Sequence, residues 1–168
     1  DNFEFNLRQL FSRVNYMFSD NQRDFDIANN YGFNGVNLGV FPGGGGYDLK
    51  LIRNFSILFK DRTIILIKGY EGNLGRCIAV LKAILNLKKE VCNFEIIVFG
   101  AHKSVFEFVQ NSDLSAWNNF KIFDTISHEN VLSLMGRAKI YIGNSISDGM
   151  PNTLLEAICS GAFPIQSN

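Results

Sequence analysis

An excess of charge of either sign is missing from this 168-residue chain: sixteen lysines and arginines face sixteen aspartates and glutamates, and the formal net charge is zero. That balance excludes a dedicated nucleic-acid binder, which carries a basic surplus, but leaves room for a local basic site that takes a small anion. Histidine and cysteine are scarce. The three cysteines, Cys77, Cys92 and Cys159, are odd in number and far apart, and no Cys-x-x-Cys occurs. A zinc site and a disulfide framework are therefore not expected, and the thiols read as reduced and mostly buried in a cytosolic protein. Long hydrophobic runs are absent too: stretches such as Ile64–Ile67 fall far short of a membrane span, and no signal peptide is visible. Neither Gly-x-Gly-x-x-Gly nor Gly-Lys-[Ser/Thr] is found, so the dinucleotide fingerprint and the P-loop are both missing. What remains is 46% hydrophobic and 19% charged, enough for a real core without covalent help.

Short apolar runs alternate with segments of helical period. The strands are predicted at Val14–Phe18, Val36–Phe41, Thr63–Ile67, Phe94–Phe99, Phe120–Phe123, Ile140–Ile142 and Phe163–Ile165. Several are continuously apolar, the pattern of parallel strands covered on both faces. Between them a helix capped by Ser19 or Asp20 runs to Asn30, with Gly32 beyond its end. A second covers Arg76–Lys89, with Lys88 and Lys89 in its last turn. A third lies at Val105–Val109, a fourth follows Ser127, and a fifth spans Thr153–Ser160. This alternation predicts an α/β fold, a doubly wound parallel sheet with helices on both faces. Ligands of such sheets sit at the carboxyl ends of the strands, near the point where strand order reverses. The run Pro42–Gly46 is the one break in composition. Its glycines serve as a hinge or let backbone approach a ligand closely. The expected division is 1–42 as the end of another domain or an interdomain segment, 43–46 as hinge and 47–168 as the ligand-binding domain.

Two loops at strand ends carry the candidate chemistry. In Ser145–Ala157 a loop with Asp148 and Gly149 leads through Met150 and Pro151 into a helix. Proline suits a first helical turn. The amides of Asn152, Thr153 and Leu154 then point at an anion, with the helix dipole adding to the attraction. Asp148 and Glu156 flank that helix start; carboxylates repel phosphate, so hydroxyls are their natural partners. A sugar–diphosphate–nucleoside offers both kinds of group. The competing reading makes Thr153-x-x-Glu156 a capping box with no ligand role. In Lys68–Arg76, Lys68 and Arg76 bracket a loop with three glycines that is suited to clamping a diphosphate; the alternative ties Arg76 to Glu71 or to a backbone carbonyl. His102 reads as a surface loop histidine, and His128 as one that solvates a helix start. No function attaches to Trp117.

The stretch Ser147–Ile165, reading SDGMPNTLLEAICSGAFPI, resembles the C-terminal signature of glycosyltransferase family 4, Glu-Gly-x-Pro-x-x-x-Leu-Glu-Ala followed by Gly and a Pro-Ile or Pro-Val strand. The likeness is specific at 145–165, moderate at 63–83 and loose before 40. It implies half of a GT-B fold, a Rossmann-like domain that binds a nucleotide-sugar donor, UDP- or GDP-linked, with retention of anomeric configuration and without metal or other cofactor. Glu156 matches the second acid of the family's Glu-x7-Glu pattern, which meets the ribose hydroxyls. Asp148 replaces the first, which contacts the donor sugar, and is one methylene shorter. Gly149 to Leu154 match the segment that holds the diphosphate, Lys68 and Arg76 fall near the family's Arg and Lys pair, and Phe123–Ser127 matches the loop that frames the base. The implied acceptor is a glycan or a lipid-linked sugar in bacterial surface polysaccharide (O-antigen or capsule) synthesis, bound by an N-terminal domain. The protein is expected in the cytoplasm, with peripheral association at the inner face of the plasma membrane. Because the chain starts at Asp1 and stops just after a strand, it reads as a fragment inactive by itself. A doubly wound nucleotide-binding or interaction module without transferase activity stands as the alternative.

Overall fold

Ile64–Ile67 and Ile96–Phe99 are apolar at every position, and the fold uses both faces of each run. In the computed structural model, which describes residues 2–41, 46–146 and 150–167, alternate residues point to opposite sides of a parallel sheet, as the two-residue period of a strand requires. Ile64 and Leu66 face one core with Ile97 and Phe99, while Ile65 and Ile67 face a second with Ile96 and Val98.

The chain divides into two units. One comprises the residues up to Gly46 with the short stretch ending at Asn152; the other holds the rest from Tyr47. The hinge residues Gly43–Gly45 lie outside the described residues. The first unit contains α1 (Asn2–Phe11), β1 (Tyr16–Ser19), α2 (Gln22–Asn30) and β2 (Val36–Val40), with β1 and β2 paired in parallel. Neither Ser19 nor Asp20 caps α2. Ser19 ends the strand, and Asn21 caps the helix by accepting from the Asp24 amide at 2.9 Å. Gly32 does follow the helix, at φ +96°.

The second unit contains α3 (Leu49–Phe55), β3 (Ile64–Lys68), α4 (Cys77–Asn86), β4 (Glu95–Phe99), α5 (Lys103–Gln110), β5 (Phe120–Ile122), α6 (His128–Arg137), β6 (Ala138–Gly143), α7 (Asn152–Cys159) and β7 (Phe163–Gln166). Its five strands lie in the order β5-β4-β3-β6-β7, all pairs parallel. From β3 the chain winds outward through β4 and β5, then crosses to the other side of β3 for β6 and β7. The order therefore reverses between β3 and β6, the doubly wound arrangement. Residues of α3, α6 and α7 cover one face; residues of α4 and α5 cover the other. Helix α4 ends at Asn86, earlier than its sequence pattern suggests. The Leu87 amide closes the last turn on Ala83 and Ile84 carbonyls, leaving Lys88 and Lys89 outside the helix. Lys88 instead places its ammonium 5.3 Å from the Trp117 ring centroid. The thiols are less uniform than expected: Cys77 is buried, Cys159 intermediate and Cys92 exposed.

Arg62 ties this unit together at the amino ends of its strands. Only 5% exposed, it donates from Nε to the Ile57 carbonyl at 3.1 Å, from Nη1 to Ala138 at 3.1 Å and from Nη2 to Ser160 at 2.8 Å. Ser160 directly follows α7, so the guanidinium sits at the negative pole of that helix's dipole. Burial pulls it below its ordinary pKa.

Candidate functional site

The switch point between β3 and β6 is occupied by a cleft of about 170 Å³, lined by Lys68, Tyr70, Leu74, Gly75, Gly143, Asn144, Ser145 and Gln166. Three strand ends contribute. Lys68 closes β3, Gly143 closes β6 and Gln166 closes β7. The loops after β3 and β6 are stitched together by an antiparallel bridge between Gly75 and Ser145. The Arg76 amide donates to the Asn144 carbonyl at 3.0 Å and the Ile146 amide to Leu74 at 2.7 Å. Gly75 is required there, since a Cβ would collide with the Tyr70 backbone. In the same cleft the Gln166 Oε1 is buried without a hydrogen-bond partner among the described residues. Such an orphaned acceptor suits a ligand N–H or O–H.

The basic pair predicted from the sequence is split in its duties. Lys68 is half-buried, with its ammonium 4.5 Å from the centroid of the Tyr70 ring. Tyr70 in turn stacks on His102, with centroids 5.1 Å apart, and His102 is exposed, as its sequence position suggests. Arg76 is the residue before α4. Its Nη1 donates to the carbonyls of Gly72 and Gly75, the backbone-bound arrangement weighed as the alternative for this side chain. Among the described residues its guanidinium makes no ion pair with Glu71, whose backbone bridges that of Arg76 and whose carboxylate accepts from the Ile78 amide at 2.7 Å. Glu71 thus occupies the amino end of α4. Its charge, after burial itself, pushes the Cys77 thiol up to about 12, which keeps Cys77 protonated and unreactive.

On the other loop, Asp148 and Gly149 lie outside the described residues. Met150 and Asn152 are exposed and Pro151 is buried; Asn152 opens α7. Thr153 does not cap the helix. It lies inside α7 and accepts a hydrogen bond from the Tyr141 hydroxyl at 2.9 Å, reached from the fully buried Tyr141 of β6. Leu154 packs its side chain on the core. The Glu156 carboxylate does not fold back onto the helix start, so no capping box forms. It is 8% exposed, and its Oε1 accepts from the His128 Nε2 at 2.7 Å. His128, read from the sequence as a residue that solvates a helix start, is also a partner of the buried acid. A second group beside Glu156 was not anticipated at all. The Tyr47 phenol has its pKa raised by burial first and then by the Glu156 and Cys159 charges. Neither neighbour is visible in local sequence, because each depends on how α6 and the segment before α3 pack against α7.

The Phe123–Ser127 loop leads from β5 to α6. The Phe123 carbonyl accepts from the Ala101 amide at 2.9 Å, and the Ser127 hydroxyl caps α6 by accepting from the Asn130 amide at 3.3 Å. Beside it runs a groove of about 360 Å³ that includes Phe123, Ile126, Asn130 and Leu134. Among the described residues no cluster of three or more His, Cys, Asp or Glu side chains could hold a metal ion. No helix among them is long and apolar enough to cross a membrane.

A comparison with curated proteins gives no match. The family model described as glycosyl transferases group 1 matches residues 51–168, all five strands of the larger sheet and the cleft at their carboxyl ends, and the chain belongs to that family.

Proposed function

We propose that this domain binds the nucleotide-sugar donor of a retaining, hexosyl-type glycosyltransferase, and that the donor is UDP- or GDP-linked. The observation that carries the reading is Glu156: a buried carboxylate in the second turn of α7, with a cleft at the topological switch point of the same sheet. A helix start attracts phosphate, and a carboxylate one turn further in accepts from hydroxyls. The amides of Thr153 and Leu154 are assigned to the diphosphate, together with those of Gly149 to Asn152, and Glu156 to the ribose. Asp148 is assigned to the donor sugar, and the groove beside Phe123–Ser127 to the base.

Glycosyl transfer develops positive character at the anomeric carbon and negative charge on the departing diphosphate. In this reading Lys68 and the α7 amides stabilise the leaving group without a metal ion. Arg76 joins them by exchanging the Gly72 and Gly75 carbonyls for phosphate oxygens, a trade its charge favours. The acceptor is a glycan or lipid-linked sugar of bacterial surface polysaccharide synthesis. The work is done in the cytoplasm, at the inner face of the plasma membrane.

Calorimetric titration of the chain with UDP, GDP and ADP, each with EDTA present, tests this. Saturable binding of UDP or GDP that survives the chelator is the expected outcome. Absence of binding by all three contradicts the reading.

A further inference from the structure

Glu156 needs a fixed orientation to serve as a hydroxyl acceptor, and the residue that fixes it lies 28 positions away in sequence. His128 is the first residue of α6. Its side chain is 69% exposed, whereas that of Glu156 is 11% exposed, and the two meet at 2.7 Å. A carboxylate only accepts, so the proton lies on Nε2. The contact is made through Oε1, so His128 does not engage the second carboxylate oxygen, Oε2. The capped start of α6, where Ser127 accepts from the Asn130 amide, holds the histidine backbone in place. The ring therefore bridges the open surface to the buried acid.

We propose that His128 is a positioning residue for Glu156: its Nε2–H engages Oε1 and thereby leaves Oε2 to accept from the ribose hydroxyls of the donor nucleotide. This rests on the reading above that Glu156 meets the ribose. The histidine acts through the acid and contributes to nucleotide recognition only where hydroxyls are present.

The test is calorimetry of the chain and its variants with UDP and GDP and with their 2′,3′-dideoxy counterparts. His128→Phe keeps a ring and removes the donor. It should weaken the ribonucleotide roughly tenfold, the scale of one hydrogen bond to a charged group, and leave the dideoxynucleotide unchanged. His128→Gln, which retains an N–H at similar reach, should restore most of the loss. In a Glu156→Ala background His128→Phe should add nothing. Should the phenylalanine variant fail to fold, His128→Asn, too short to reach Oε1, serves in its place. Wild-type affinity in the donor-less variant overturns the proposal, as does an equal loss for the dideoxy ligand. If the wild type binds no nucleotide at all, this proposal and the reading beneath it fall together. If Glu156→Ala weakens binding and His128→Phe does not, only the role of His128 falls.

Discussion

Arg62→Met should lower the melting temperature by about 10 °C, the largest stability loss expected from any single side chain described above. The methionine fills similar volume, so the effect isolates the lost hydrogen bonds. Three carbonyls, those of Ile57, Ala138 and Ser160, lose their donor together. Each bond to a charged donor is worth about 1.5–3 kcal/mol, and of the three acceptors the Ser160 carbonyl keeps a weaker donor in the Ser56 hydroxyl at 3.4 Å. Because the three bonds share one group and are not additive, about 4 kcal/mol is the reasonable total. A domain of this size shifts by roughly 2–4 °C per kcal/mol. Arg62→Lys should recover less than half, since one ammonium on a flexible stem cannot reproduce a planar fork aimed at three acceptors. Thermal unfolding followed by circular dichroism decides it. A change below about 2 °C for the methionine variant, which is under about 1 kcal/mol on that scale, means the three bonds carry little.

Glu156→Ala should reduce affinity for UDP or GDP about a hundredfold. Two hydroxyl hydrogen bonds to a charged acceptor are lost at once, each near the lower end of the range for charged groups. Thermal stability should fall much less than for Arg62, because one carboxylate–histidine bond disappears and the histidine is open to water. Glu156→Gln, which keeps an acceptor oxygen without the charge, should fall between the two. Calorimetry on the three proteins reads the order directly. Equal affinities in all three would falsify the ribose assignment.

The parts of this molecule legible in its sequence are those fixed by local pattern. Strands β3 and β4 were clear because burial on both faces demands apolar side chains at every position. The start of α6 was clear because Ser127 precedes a stripe containing Val131, Leu132 and Met135. The doubly wound arrangement followed from alternation alone. Two helices were missed for identifiable reasons. Helix α1 buries none of its residues, and Phe5 falls out of phase with the helically spaced Phe3, Leu7 and Leu10. Helix α3 has a clear cap, with Asp48 accepting from the Lys50 and Leu51 amides at 2.9 and 3.1 Å, but its seven residues follow the glycine run that dominates the reading there.

The site was legible in outline and not in detail. The segment around Glu156 stood out as a helix start followed by an acid. What Glu156 touches did not, because His128 and Tyr47 reach it through tertiary packing. The Thr153-x-x-Glu156 spacing even suggested a local bond that the packing does not make. The role of Arg62 has no local signature, since its three acceptors are spread from Ile57 to Ser160. Arg76 shows the converse case: a cation in a glycine loop suggests a ligand, yet its own loop supplies carbonyls close enough to hold it.

The nucleoside diphosphate is proposed to lie on the amino end of α7. Helices α4 and α7 follow the two strands that flank the switch point, and Glu71 already fills the start of α4. The most direct test is an amide-resolved NMR titration of the isotopically labelled chain with UDP and GDP. The amides of Thr153 and Leu154 should shift in step with saturation while those of Cys77 and Ile78 stay in place. Saturable binding that leaves Thr153 and Leu154 unmoved, or that moves the α4 amides instead, contradicts that placement.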